Sequence, residues 1–231
     1  MKAAILQSNY IPWKGYFDLM NSADVFIIYD EAQYTKNDWR NRNRIKTANG
    51  TIWLTIPVKQ PNLTQRIIDT EVANHDWRRK HWNSISMSYS KAPFFKQYGS
   101  VFEELYLNSQ ETSLSKINYS FFVAVNDILN IKTKLLWSQD LELIEGKTER
   151  LVDLCEKVKA TEYISGPAAK DYLDVDQFVN KNIRVSWMDY SGYPEYRQLN
   201  PPFEHYVSIL DLLFNEGDKA TDFMKAFNQK K

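Results

Sequence analysis

The chain has 231 residues, enough for one large domain with a substantial core, and its 43% hydrophobic and 25% charged residues exclude a disordered polymer. Its 29 Lys and Arg balance 29 Asp and Glu, so no net field draws it to nucleic acid or to an anionic membrane. One cysteine, Cys155, excludes an intramolecular disulfide framework, and no run approaches the ~18 apolar residues of a membrane span. The first apolar run turns polar at Gln7, too soon for a secretory signal, so the cytoplasm is the expected compartment. Aromatic residues are abundant, with 7 Trp, 14 Tyr and 12 Phe against 7 Gly, which suits an aromatic-rich core as well as sugar or base stacking.

Residues 3–7 read as a short buried strand. Pro12 and Gly15 punctuate the structured loop that follows, Tyr16, Phe17, Leu19 and Met20 predict a brief helix, and residues 25–29 form a second strand closed by Asp30 and Glu31. Strand, loop, helix, strand opens a βαβ unit, whose sites lie at strand C-terminal ends. Residues 52–58 predict a further strand after Asn49-Gly50. Helical periodicity then appears in Tyr98, Phe102, Leu105 and Tyr106, in Ile117, Phe121, Ala124, Val125 and Ile128, and in Leu151, Leu154, Cys155 and Val158. That last stripe makes Cys155 a core residue and not a nucleophile. Residues 163–165 and 183–187 predict two more strands, and Ser208 to Asp211 has the capping-box pattern of a last helix that Gly217 closes. The sum is an α/β fold: one domain over residues 1–231 with a mainly parallel Rossmann-like sheet and a helical insertion over roughly residues 75–160.

Residues 30–46, DEAQYTKNDWRNRNRIK, are the most informative stretch. If residues 40–46 are extended, Arg40, Arg42, Arg44 and Lys46 share one face, which suits phosphate oxygens or open solvent. Asn41 and Asn43 fall on the other face, where they could bond a sugar or base. Gln7, Tyr10, Trp13 and Gly15 belong to the loop after the first strand, and Asp30 ends the second, so both face the crevice of an open α/β sheet. Asp30 there could hold a hydroxyl, act as a general base, or cap a helix. Other signals fail. Gly146-Lys147-Thr148 lacks the earlier glycine of a P-loop, Leu141 standing there. His75, His81, His205 and Cys155 have no zinc-ligand spacing, so no metal site is expected, and no Gly-x-Ser-x-Gly elbow occurs. His81 reads as part of a basic helix face with Arg78, Arg79 and Lys80.

In combination the sequence resembles the WbqC-like family, encoded in bacterial O-antigen and related surface-polysaccharide clusters. The resemblance is carried by QSNYIPWKGYF at residues 7–17, ADVF at 23–26 through Asp30, WRNRNRIKT at 39–47, WLTIPV at 53–58, YISG at 163–166 and SILDLLFNEG at 208–217. One departure is Gln7-Ser8-Asn9 where the family usually has Gln-Pro or His-Gln-Pro before the tyrosine. The resemblance implies an enzyme that transfers an aminoacyl group, glycine, to a sugar amine, with ATP or an aminoacyl carrier supplying the activated carboxyl. Its substrate would be a nucleotide-linked or lipid-linked sugar, with no dedicated nucleic-acid binding. On that reading Asp30 orients or deprotonates the amine, Lys36 or Arg42 stabilises developing charge, and Arg40, Arg44 and Lys46 hold phosphates. Gln7, Tyr10, Trp13, Gly15, Asn43, Ser165 and Gly166 complete the substrate-binding set. Two rival classes are a glycosyltransferase using Asp174 and Asp176 with a metal, and a non-catalytic binding protein of the same machinery.

Overall fold

The computed structural model describes residues 1–228, and the sheet explains their arrangement. Five strands, β1 (Lys2–Leu6), β2 (Val25–Ile28), β5 (Lys134–Trp137), β6 (Glu162–Ser165) and β7 (Arg184–Trp187), form a parallel sheet in the order β5-β2-β1-β6-β7. Alternation along β1 and β2 divides the core. Ala4, Phe26 and Ile28 face the larger layer, whereas Ala3, Ile5, Val25 and Ile27 face a smaller one with Cys155 and Phe178. Strands covered on both faces need apolar residues throughout, which is why β1 and β2 are so legible as sequence. The edge strands begin with exposed Lys134 and Arg184, charges that discourage pairing with another chain.

On the larger face lie α1 (Lys14–Ser22), α2 (Asp76–Tyr89), α3 (Phe95–Leu107), α4 (Leu114–Leu129) and α7 (Ile209–Glu216), together with a separate antiparallel hairpin, β3 (Arg42–Thr47) and β4 (Gly50–Thr55). The smaller face carries α5 (Thr148–Lys157) and α6 (Val175–Val179), and α8 (Lys225–Asn228) closes against α1. The helical segment expected to reach residue 160 is therefore divided. It ends at Leu129, β5 returns to the sheet, and α5 covers the opposite face. No helix among the described residues is long and apolar enough to cross a membrane.

Three local readings change. The expected basic face on α2 is interrupted, because Arg78 and His81 turn inward. Arg78 donates to the carbonyls of Leu105 and Glu111, capping the end of α3 and the turn beyond it. The capping box at α7 is only half made: Ser208 Oγ accepts from the Leu210 N–H, but Asp211 turns away to accept from Tyr89, Tyr196 and Gln198. Asp174 is the N-cap of α6, accepting from the Asp176 N–H, and Gln177 also donates to it.

Candidate functional site

The sheet order reverses beside β1, which pairs with β2 on one side and β6 on the other. Connections leave in opposite directions at such a point and open a crevice at the strand C-termini. A cavity of about 590 Å³ lies there, with Leu6 ending β1 and Gln7 following it, Tyr29 following β2, and Ser165 and Gly166 at the end of β6. Trp13 and Tyr190 supply aromatic wall, and Lys147 and Thr148 bring the start of α5 to the rim. Tyr29 accepts a hydrogen bond from Arg150 at 2.7 Å, which leaves its own hydroxyl proton for a ligand.

The loop between β1 and α1 is fixed from every side. The Ser8 N–H donates to Asp30 at 2.7 Å, the Tyr10 N–H to the Trp39 carbonyl, and the Ile209 N–H to the Pro12 carbonyl. Asn43, on β3, donates its amide to the carbonyls of both Tyr10 and Ile11, at 3.1 and 2.8 Å. Ile11 has φ of 36°, a left-handed conformation that a β-branched residue avoids. Its side chain is fully buried, so packing and the Asn43 clamp hold it there. The result is to present Trp13, whose ring folds over Gly15: a Cβ at position 15 would come within 2.3 Å of the indole. Trp13 also meets Tyr190, Tyr193 and Tyr206 at centroid distances of 5.3, 5.7 and 5.4 Å.

Beside the cleft lies a second, smaller cavity of about 230 Å³, a slot lined by Pro12, Trp13, Trp39, Asn43 and Tyr206. Asn9 lines both spaces and marks their junction. Arg40 stands at that junction, one guanidinium nitrogen donating to Asn9 Oδ1 and the other to Gln7 Oε1 at 3.3 Å. Asp38 lies 3.6 Å from Arg40, an ion pair too long for a hydrogen bond. On the exposed face of the hairpin, Arg42 lies 4.3 Å and Arg44 5.6 Å over the ring of Trp53, which meets Trp39 at 5.4 Å.

A sequence model of the WbqC-like protein family matches residues 7–223. The chain belongs to that family. An uncharacterized protein of Mycobacterium tuberculosis, Rv1507c, is 49% identical over 229 residues, covering 99% of each chain. No solved structure matches.

In this WbqC-like chain the expected site residues separate into two groups. Gln7, Trp13, Ser165 and Gly166 line the cleft, Arg40 bonds Gln7 and Asn9 of its lining without lining it itself, and Gly15 seats Trp13. The others have different work. Asp30 is 1% exposed and accepts from the Ser8 N–H and the Ser115 hydroxyl. Burial raises its pKa against the lowering effect of those bonds. Sealed beneath the loop, it has no approach to a substrate amine and acts as an anchor between the loop and α4. Tyr10 is fully buried, its hydroxyl bonded to His81 and Tyr106. Asn41 and Asn43 do lie opposite the cations, but their amides bond backbone: Asn41 holds the Ile56 carbonyl and Asn43 the first loop. Lys46 is buried and donates to the Pro202 carbonyl, and Arg44 donates to that of Tyr206. Lys36 is exposed on the loop after β2, and Arg42 is spent partly on Trp53. Among the described residues no group of three His, Cys, Asp or Glu side chains is gathered to hold a metal ion. Cys155 is buried, and burial pushes its thiol up to about 12.

Sequence reasoning missed Asn9, Tyr29, Trp39, Trp53, Tyr190 and Tyr206. A signal existed for one pair. The turn at Asn49-Gly50 sets Arg44 opposite Trp53, so an aromatic ring among the arginines follows from pairing β3 with β4. Tyr190 and Tyr206 come from an irregular segment with no periodicity to place them.

Proposed function

We propose that the protein is a cytoplasmic transferase of bacterial surface-polysaccharide assembly, which joins an aminoacyl group, glycine in the simplest case, to the amine of a sugar carried on a phosphate. The observation that carries this reading is the cleft at the β1–β6 reversal, aromatic along its walls, with the guanidinium of Arg40 bonded to two of its lining residues, Gln7 and Asn9. Aromatic faces suit the apolar side of a sugar ring, and a guanidinium fork suits phosphate oxygens. Membership of the WbqC-like family supports the pathway.

In the reaction, the lone pair of a neutral sugar amine attacks an activated glycyl carbonyl. A C–N bond forms, and the bond from that carbon to the activating phosphate or carrier oxygen or sulfur breaks, the leaving group taking the electron pair. With Asp30 sealed, the amine proton passes to the departing group or to water. The protein contributes position, holding amine and carbonyl together. Tyr29, which lines the cleft and accepts from Arg150, retains a hydroxyl proton to donate to the developing oxyanion.

The test is incubation of purified protein with glycine, ATP and an amino-bearing sugar phosphate or nucleotide sugar, followed by mass spectrometry. A glycylated sugar that depends on the protein supports the reading. Cleavage of the sugar from its phosphate without amide formation would instead make it a glycosyltransferase. If no such ligand raises the melting temperature, the cleft serves another substrate class.

A further inference from the structure

The slot beyond Trp13 has a shape and lining unlike the main cleft, and the transfer reaction leaves it unused. At about 230 Å³ it is smaller than the ~300–1,000 Å³ of pockets that enclose a whole ligand. Trp13, Trp39 and Tyr206 wall it, so it suits one flat ring system rather than a flexible chain. Trp39 is 41% and Tyr206 57% exposed, a large area of ring face left to water beside a built cavity. Trp39 is braced from behind by Trp53, which is itself held by Arg42 and Arg44. Exposed indoles fixed in this way resemble a stacking platform more than a failure of burial.

Position gives the slot its meaning. Asn9 and Trp13 line both spaces, and Arg40 reaches Asn9 and Gln7 where they join. Flat aromatic slot and larger cleft are therefore neighbours, and Arg40 holds Asn9, which lines both, and Gln7, which lines the cleft.

We infer that the slot binds the base of a nucleoside diphosphate, the phosphates lie at Arg40, and the sugar extends into the cleft at the β1–β6 reversal. This rests on the proposed sugar-modifying role and deepens it, naming the carrier as a nucleotide and not a lipid diphosphate. Arg42 and Arg44 sit on the outer side of Trp53 and serve as its support. The recognition is stacking and charge, so the slot tolerates more than one base.

Isothermal titration of the protein with a uridine or guanosine diphosphate, with inorganic pyrophosphate, and with an amino-sugar 1-phosphate tests this. The nucleoside diphosphate should bind at least tenfold more tightly than pyrophosphate. Trp39→Ala should weaken the nucleotide about 10- to 100-fold, Tyr206→Ala should weaken it less, and Trp39→Phe should restore most of the affinity. The sugar phosphate should bind Trp39→Ala as it binds the parent and fail to bind Gly166→Trp, which fills the cleft. Equal affinity for pyrophosphate and nucleotide, or a nucleotide affinity unchanged in Trp39→Ala, overturns the inference and favours a lipid diphosphate. Because Trp39 and Tyr206 are surface residues, circular dichroism of either variant separates lost binding from lost folding. Failure of the sugar phosphate alone would instead remove the sugar-modifying reading and leave the nucleotide slot standing.

Discussion

His81 joins α2 to the first loop and to the hairpin. Its Nδ1 lies 2.9 Å from the Tyr10 hydroxyl, and the Thr55 backbone partly offsets the effect of burial on its pKa. Burial lowers its pKa from 6.5 in the unfolded chain to about 4 in the fold. Between those values the unfolded chain holds a proton that the folded chain does not, so acidification through this window favours unfolding. A gap of about 2.5 pH units at ~1.36 kcal/mol each is worth about 3 kcal/mol, present above pH 6.5 and lost as the pH falls to about 4. Asp18, Asp30 and Asp211 act in the opposite sense. Burial raises their pKa values, so the folded chain takes up their protons more readily and gains stability as the pH falls into the carboxylate range. A pH profile of the parent alone therefore mixes both effects. Urea unfolding of the parent and of His81→Gln, at steps from about pH 7.5 to about pH 4, isolates the histidine. Relative to His81→Gln, the parent should lose about 3 kcal/mol across the range. Parallel profiles for the two proteins would refute the argument, because the buried imidazole would then carry no proton linkage.

Asn43→Ala removes the donor from two buried carbonyls and releases the strained Ile11, so unfolding free energy should fall by about 2–4 kcal/mol, read from urea titration. A loss below about 1 kcal/mol would show that packing alone fixes the loop. Gly15→Ala forces the indole of Trp13 off the start of α1 and should cost about 1–3 kcal/mol, with a weakened response to sugar phosphates in a thermal-shift assay. Arg40→Ala should weaken a phosphorylated ligand by about 10-fold or more with the fold intact, and Arg42→Ala should weaken it less, since Arg42 supports Trp53. An equal effect of the two in titration calorimetry would place phosphates along the hairpin instead of at the cleft mouth.

The sheet was legible because β1 and β2 are buried on both faces and leave apolar runs at residues 3–6 and 25–28, whereas β6 shows only Tyr163 and Ile164 between Glu162 and Ser165. β5 escaped notice because Lys134 opens it and only four residues form it at the sheet edge. The alternation expected over residues 40–46 holds only from Arg42, where β3 begins; Arg40 and Asn41 lie in the turn before it, and Lys46 is buried. What pattern alone could not tell was which polar residues meet solvent and which meet backbone. Asp30 looked like a ligand group because it ends a strand, and Asn43 because it faces away from the cations, yet both bond a neighbouring loop. A buried polar side chain must satisfy itself within the protein, and its partners are distant in sequence, as Asp30 and Ser115 are. Arg40 was assigned to phosphate with the rest of its row and is the member of it that bonds the cleft-lining Gln7 and Asn9.

The segment between β7 and α7 is tied down by groups drawn from far away: Tyr193 to Asp18, the Pro194 carbonyl to Lys14, the Tyr206 carbonyl to Arg44. It also brings Tyr190 and Tyr206 against Trp13, a residue made near the start of synthesis. The site is thus a late event in the life of the chain. A ribosome that has delivered all five strands of the sheet has still not delivered the far wall of the cleft or the slot, and Trp13 waits uncovered until it does. Contacts of such long sequence separation form slowly. A chain halted before Tyr190 would lack that wall, and with it the α7 residues Ile209, Leu210, Leu212, Leu213 and Phe214 that complete the larger core layer.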